Sequence, residues 1–369
     1  MKDARYEKLA DNLINYSVKL KNGEKLLVEF SGRDNSLVKE LVSKAYEAGG
    51  LPFVNHTDNQ IRCLLLKDIT QEQLEIMNGS QLAMMKRMDA YIAIRAMDNI
   101  FESSIIPSEK TAMFSRIMKP AFDERVNNTR WCVLRYPNDS MAQLAGKSTD
   151  EFEAFFFDVC NLDYSKMSAA MDNLVDLMNK TDKVRIEGPG TDLEFSIKGI
   201  PAIKCAGEMN IPDGEVFTAP VRDSINGRIT FNAPAMSEGE AIENIRFTFF
   251  NGKITESASS NTAKTNKKLD TDEGARYVGE FAIGVNPFIT YPMKDTLFDE
   301  KIAGSIHLTP GQCYEEAPNG NDSAIHWDIV LIQTPEYGGG NIYFDDVLVR
   351  KDGIFVVDEL LCLNPENLK

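Results

Sequence analysis

The spacing of apolar residues changes near residue 182, and that change limits the possible folds more than any other feature of the chain. Before it, short apolar runs alternate with amphipathic helical stretches. EKLLVEF (24–30) reads as a buried strand, SLVKELVSKAYEAGG (36–50) as a helix closed by glycines, and PFVNH as a returning strand. AYIAIRA (90–96) and WCVLRYP (131–137) repeat the strand signal between helix-rich segments. Strands separated by helices predict a parallel α/β sheet. No G-x-G-x-x-G or G-x-x-x-x-G-K-[ST] follows any of these strands, so a dinucleotide or P-loop site is not supported.

Beyond the change, KVRIEGPGTDLEFSIKG (183–199) alternates apolar and polar residues on both sides of Gly-Pro-Gly, a hairpin signature. GRITFNAP, IRFTFFNGKIT, HWDIVLIQ and NIYFDDVLVRKDGIFVV continue in the same strand-like way, with a helix expected around DTDEGARYVGEF. The reading is two domains. Residues 1–182 form an α/β N-terminal domain with a mainly parallel sheet. Residues 183–369 form an α+β domain with a mainly antiparallel sheet.

Bulk properties exclude some partners. Forty Lys and Arg stand against 56 Asp and Glu, a formal net charge of -16, which argues against nucleic acid or an anionic membrane as the main partner. The six cysteines (63, 132, 160, 205, 313 and 362) show no close pairing and read as reduced core residues of a cytoplasmic protein. MKDARYEKLADNLINYSVKL reads as a charged amphipathic helix without the apolar segment expected of a signal peptide, and no apolar run is long enough to cross a membrane.

The chain has only three histidines, and two of them lie close together in the second half. In SAIHWDIV (323–330), strand geometry puts Ile325, Trp327 and Ile329 on one side and His326 and Asp328 on the other. An imidazole beside a carboxylate suits a divalent cation, although such a pair is equally ordinary on a wet strand face. His307, in GSIHLTPGQCY, has Ile306 and Leu308 opposite it. Glu215 opens a strand in NIPDGEVFTAP, and Glu280 sits in GARYVGEFAIGVNP. A glutamate inside an apolar run needs a partner or a metal. His56, in FVNHTDN, reads as solvated.

IPDGEVFTAP, DTDEGARYVGEFAIGVNP, DEKIAGSIHLTPGQCY and SAIHWDIV, in that order, resemble the aminopeptidase T/AmpS/PepS family of dinuclear metallo-aminopeptidases. RWCVLRYP, AQLAGKSTDEFEAFFFDVCNLDY and KTDKVRIEGPGTDLEFSIKGIPAIKCAGE extend the likeness along most of the chain. The resemblance implies that Glu215, Glu280, His307, His326 and Asp328 hold two divalent metal ions, with zinc first and cobalt, manganese or magnesium as other occupants. It implies that Tyr314 is catalytic, that peptides with a free N-terminus are the substrates, and that the protein is a homodimer. Without the resemblance, Tyr314 would read as a turn tyrosine packed on its neighbours. The general base stays unassigned, and Glu315 and Glu316 read as a solvated acidic turn.

Two other functions fit part of the pattern. A mononuclear non-haem iron oxygenase uses two histidines and one carboxylate, which leaves Glu215 and Glu280 idle. A non-catalytic metal- or peptide-binding homologue would keep the ligands and have no use for Tyr314.

Overall fold

The structure, a computed structural model, describes residues 3–237 and 239–369. It divides into two compact units, one running to Asn161 and including Gly207–Ile211, the other comprising Leu162–Ala206 and Pro212–Lys369. The expected change of class is present: a parallel sheet with helices first, antiparallel sheets after.

In the first unit the sheet order is Leu51–Thr57, Lys25–Ser31, Ala90–Arg95, Arg130–Arg135 and Asn210–Ile211, all parallel. The central strands are mainly apolar, with Leu26, Val28, Ala90, Ile92 and Ile94 fully buried, and their Glu29 and Arg95 pair with each other. The helix Thr149–Cys160 begins with a reciprocal capping box, in which Ser148 and Glu151 satisfy each other's backbone donors. No helix among the described residues is long and apolar enough to cross a membrane.

The second unit opens with the helix Tyr164–Lys180. The expected hairpin is present as Lys183–Gly188 and Thr191–Ser196 within an eight-stranded sheet. A five-stranded sheet carries the chemistry. Its order is Ile329–Ile332, Ser305–Pro310, Val278–Gly284, Glu215–Thr218 and Ile203–Cys205, all antiparallel.

Two local expectations need correction. The helix placed around DTDEGARYVGEF is a single tight turn, Gly274–Arg276, and the α-helix lies upstream at Thr262–Leu269. The reason is close backbone approach: a Cβ on Gly274 would lie 1.9 Å from the Asp322 carbonyl oxygen. The HWDIVLIQ strand begins at Ile329, not at His326. Gly311, at φ +115, breaks the ladder, yet Gly311 still bridges His326 in the register that pairs Leu308 with Ile329.

Gly279 makes the bulge that precedes Glu280, where pairing shifts between Val278↔Pro310 and Glu280↔Thr309. A Cβ there would meet two carbonyl oxygens, of Gly311 and Gln312, at 2.4 Å. Gly279→Ala is therefore expected to destabilise the second unit by about 1–3 kcal/mol, the cost of overpacking. Urea denaturation followed by tryptophan fluorescence checks this; an unchanged midpoint would contradict the close approach.

Candidate metal centre

Strand register brings the site together. Glu215 pairs with Gly284, Phe217 with Ala282, Ala282 with His307, and Glu280 with Thr309. Residues opposite each other in an antiparallel pair share a face, and so do residues two apart. Glu215, Glu280, His307, Thr309 and Asp328 therefore stand on one face of the sheet. Between them Ala282 packs with Phe217 and Ala317, and the backbone of Ile302 lies against Gly284. His326, just outside the regular strand, keeps the same side as Asp328, while Trp327 and Ile329 are buried on the other.

The polar atoms interlock. Glu280 Oε1 lies 3.3 Å from His307 Nε2, and Glu280 Oε2 lies 3.2 Å from His326 Nε2. His326 Nε2 lies 3.3 Å from Asp328 Oδ1. Glu215 Oε2 faces His307 Nδ1 at 3.7 Å, and among the described residues neither atom has a hydrogen-bond partner. The surroundings fix the orientation. His326 Nδ1 lies 2.9 Å from the Gln312 carbonyl oxygen, and the Thr309 hydroxyl donates to Asp328 Oδ1 at 2.7 Å. Asp272 accepts from the Ser323 hydroxyl and the Ala324 N–H, which ties down the loop leading into His326.

Electrostatics follow from burying like charges together. Burial alone would lower both imidazole pKa values, yet contacts with acids win. The hydrogen bond to Glu280 and the charge of Glu215 push His307 up to about 9. Asp328 and then Glu280 push His326 up to about 11. Burial raises Glu215 to about 8 against the opposing charge of Lys301. Burial also raises Glu280 and Asp328, but the imidazoles overcome it and hold both carboxylates below their usual range.

This donor set fits a divalent cation. Two ligands on one ion with bonds of about 2.0–2.2 Å lie roughly 3.0–3.5 Å apart, the spacing observed among Glu280, His307, His326 and Asp328. Donor atoms of Glu280, His307 and Asp328 all fall within 4.8 Å of one another. The two buried atoms left without partners, Glu215 Oε2 and His307 Nδ1, are both metal-ligating types. The structure thus gathers all five side chains that the sequence singled out as ligands.

Tyr314 is 45% exposed, its ring centroid 4.8 Å from that of His326 and 5.3 Å from that of Phe217. The protein packed around it, and then the charges of Glu280 and Asp328, hold its phenol well above the usual range, so it stays protonated and able to donate. Glu315 and Glu316 are exposed. His56 is also exposed; it lies at the end of the Leu51–Thr57 strand with Nε2 2.8 Å from the Gly32 carbonyl oxygen.

Sequence reading passed over the inner ring of charge: Lys301, Glu300 and Asp213. Lys301 is 2% exposed and contacts Glu215 and Glu300. The sequence hid it, because Lys301 directly follows Asp299 and Glu300 and so reads as part of a charged turn.

Comparison with known proteins agrees with this geometry. The family model for thermophilic metalloproteases (M29) matches residues 2–338. The chain belongs to that family. Aminopeptidase T of Thermus thermophilus is 27% identical over 379 residues, covering 88% of this chain and 91% of that protein. Aminopeptidase AmpS of Bacillus subtilis is 25% identical over 343 residues, with 82% of each covered. In fold, this metalloprotease is similar to wild-type AmpT from Thermus thermophilus, with a TM-score of 0.81 over 96% of this chain and 99% of that one at 24% identity.

Proposed function

We propose that this metalloprotease is a metal-dependent aminopeptidase whose centre holds two divalent ions and hydrolyses the N-terminal peptide bond of peptides. The single observation that carries the reading is Glu280, which presents one oxygen to each imidazole at 3.3 and 3.2 Å. On this reading Glu215, Glu280, His307, His326 and Asp328 would hold the ions, with Glu280 between the two imidazoles. A mononuclear iron site built on His307, His326 and Asp328 would leave Glu215 and Glu280, the latter in contact with both histidines, without a role. The relatives named aminopeptidases support peptide substrates with a free N-terminus.

Divalent ions here would supply Lewis-acid polarisation of the scissile carbonyl and acidify water at neutral pH. Zinc suits two imidazoles with carboxylates; cobalt, manganese and magnesium are alternatives that availability decides. The chain's own side chains do the rest. A substrate's free α-amine would be held at the centre, which favours the chain end over an internal bond. Tyr314 donates a hydrogen bond to the oxyanion that develops on the carbonyl, an interaction worth about 3 kcal/mol where it has been removed elsewhere. Six free thiols fit a reducing, cytoplasmic setting.

A homodimer is part of this reading. The edge strand Leu51–Thr57 is uncovered, with Leu51 46%, Phe53 39% and Val54 50% exposed, and the helix Asn59–Asp68 adds Ile61 at 59% and Leu64 at 62%. An apolar, unpaired edge of this kind invites a second copy.

Three outcomes test the proposal. Chelator-stripped protein should be inert on aminoacyl-anilides and recover when one divalent ion is restored, whereas His326→Ala should stay inert with an unchanged circular dichroism spectrum; full hydrolysis by that variant would overturn the centre. Tyr314→Phe should keep its bound metal and lose at least about tenfold in kcat, with unchanged turnover demoting the tyrosine to packing. In light scattering the wild type should run at twice the chain mass and Val54→Glu at once the chain mass; a monomeric wild type would refute the dimer.

A further inference from the structure

Beside the metal centre lies a second cluster of charge that shares only Glu215 with the proposed ligands. Donor atoms of Cys205, Asp213 and Glu215 fall within 4.8 Å of one another, a spacing that on its own suggests another ion. The Lys301 ammonium already sits there. Its Nζ lies 2.6 Å from Glu215 Oε1, 2.5 Å from Glu300 Oε1 and 3.7 Å from Asp213 Oδ1. We propose that Lys301 is a positioning residue for the metal centre: it grips one oxygen of Glu215 so that the other is presented to the ion shared with His307.

The two oxygens of Glu215 have different surroundings. Oε1 is taken by the ammonium, while Oε2 is buried, without a hydrogen-bond partner among the described residues, and faces His307 Nδ1. A carboxylate held in this way offers a single oxygen at a fixed angle, the role that outer-sphere partners play for ligating carboxylates. Backbone geometry makes Lys301 equally fixed. Gly284 pairs with Glu215, and a Cβ on Gly284 would lie 2.4 Å from the Ile302 carbonyl oxygen and 2.9 Å from the Lys301 carbonyl carbon. The Lys301 carbonyl accepts from Asn286 N–H, and the Asn286 side chain donates to the Asp213 carbonyl. The absence of a side chain at position 284 thus lets the lysine segment lie against the strand beside Glu215. The ammonium also repels a nearby cation, but Glu300 and Asp213 flank it and offset that charge, so orientation is what remains.

This inference rests on the metal reading above, and zinc binding separates the two. Lys301→Met, Lys301→Arg and the paired Lys301→Met/Glu300→Gln are dialysed against buffered zinc, and bound ions per chain are counted alongside circular dichroism, kcat and KM. A wild type that binds no zinc refutes the metal reading itself. With two ions in the wild type, the folded Met variant should keep one and bind the second at least about tenfold more weakly, the scale of outer-sphere effects. Its kcat should fall more than its KM changes, and Arg should recover part of the affinity. Lower thermal stability with an unchanged zinc isotherm would mean a purely structural lysine and overturn the proposal. If Lys301→Met alone fails to fold, the paired variant, which loses one charge of each sign, decides by the same isotherm; failure of the pair to fold as well would assign Lys301 to the fold and overturn the proposal too.

Discussion

Like charges packed onto one buried sheet face constrain the rest of this structure. Glu215, Glu280 and Asp328 are each largely shielded from water, and burying carboxylates together is costly unless cations or hydrogen bonds answer them. Here the answer is layered. Two imidazoles lie between the carboxylates, an internal ammonium binds Glu215 from the other side, and Thr309 donates to Asp328. Everything nearby is arranged to keep these groups at fixed spacing.

Fixed spacing comes from strand register more than from loops. Three of the five proposed ligands, Glu215, Glu280 and His307, are placed by ladder partners within one antiparallel sheet, and a register slip of one residue would turn any of them to the opposite face. Glycine does the fine adjustment. Gly279 permits the bulge that re-aims Glu280, Gly284 lets the Lys301–Ile302 backbone lie against the strand beside Glu215, and Gly311 lets the chain leave the ladder just where His326 must turn. The rigid part of the fold holds the ligands, and the half-exposed Tyr314 stands at their edge.

Much of this was legible in the sequence, for a physical reason. Alternation with period two marks both the strands and the side each residue takes, so His326 and Asp328 could be paired, and Trp327 assigned to the core, from SAIHWDIV alone. Glu280 and His307 stood out because a charge or an imidazole in an apolar run needs an explanation. What alternation does not encode is which strands neighbour each other, and so the convergence of residue 215 with residue 307 rested on resemblance until the ladders were seen. The helix misplaced at DTDEGARYVGEF shows the opposite failure. Local composition favoured a helix, but Gly274 and Gly279 were there for backbone contacts with residues 311, 312 and 322, far away in sequence.

The same logic explains why Lys301 escaped notice while its partners did not. DEKIAGS looks like a charged turn, since adjacent acid and base residues usually share solvent. In the folded chain Asp299 and Lys301 are both almost wholly enclosed, the lysine reached by Glu215 from another strand and by Glu300 from its own segment. A buried ammonium is stable only where several carboxylates converge on it, so its burial is itself a sign that a carboxylate cluster exists on the far side. Lysine in this position and metal ions in the neighbouring one are two solutions to one problem, cations in a crowd of acids. They differ in that the lysine is permanent and fixes geometry, whereas an exchangeable ion leaves coordination positions free for chemistry. A centre built from both can hold its shape without giving up an open face for substrate.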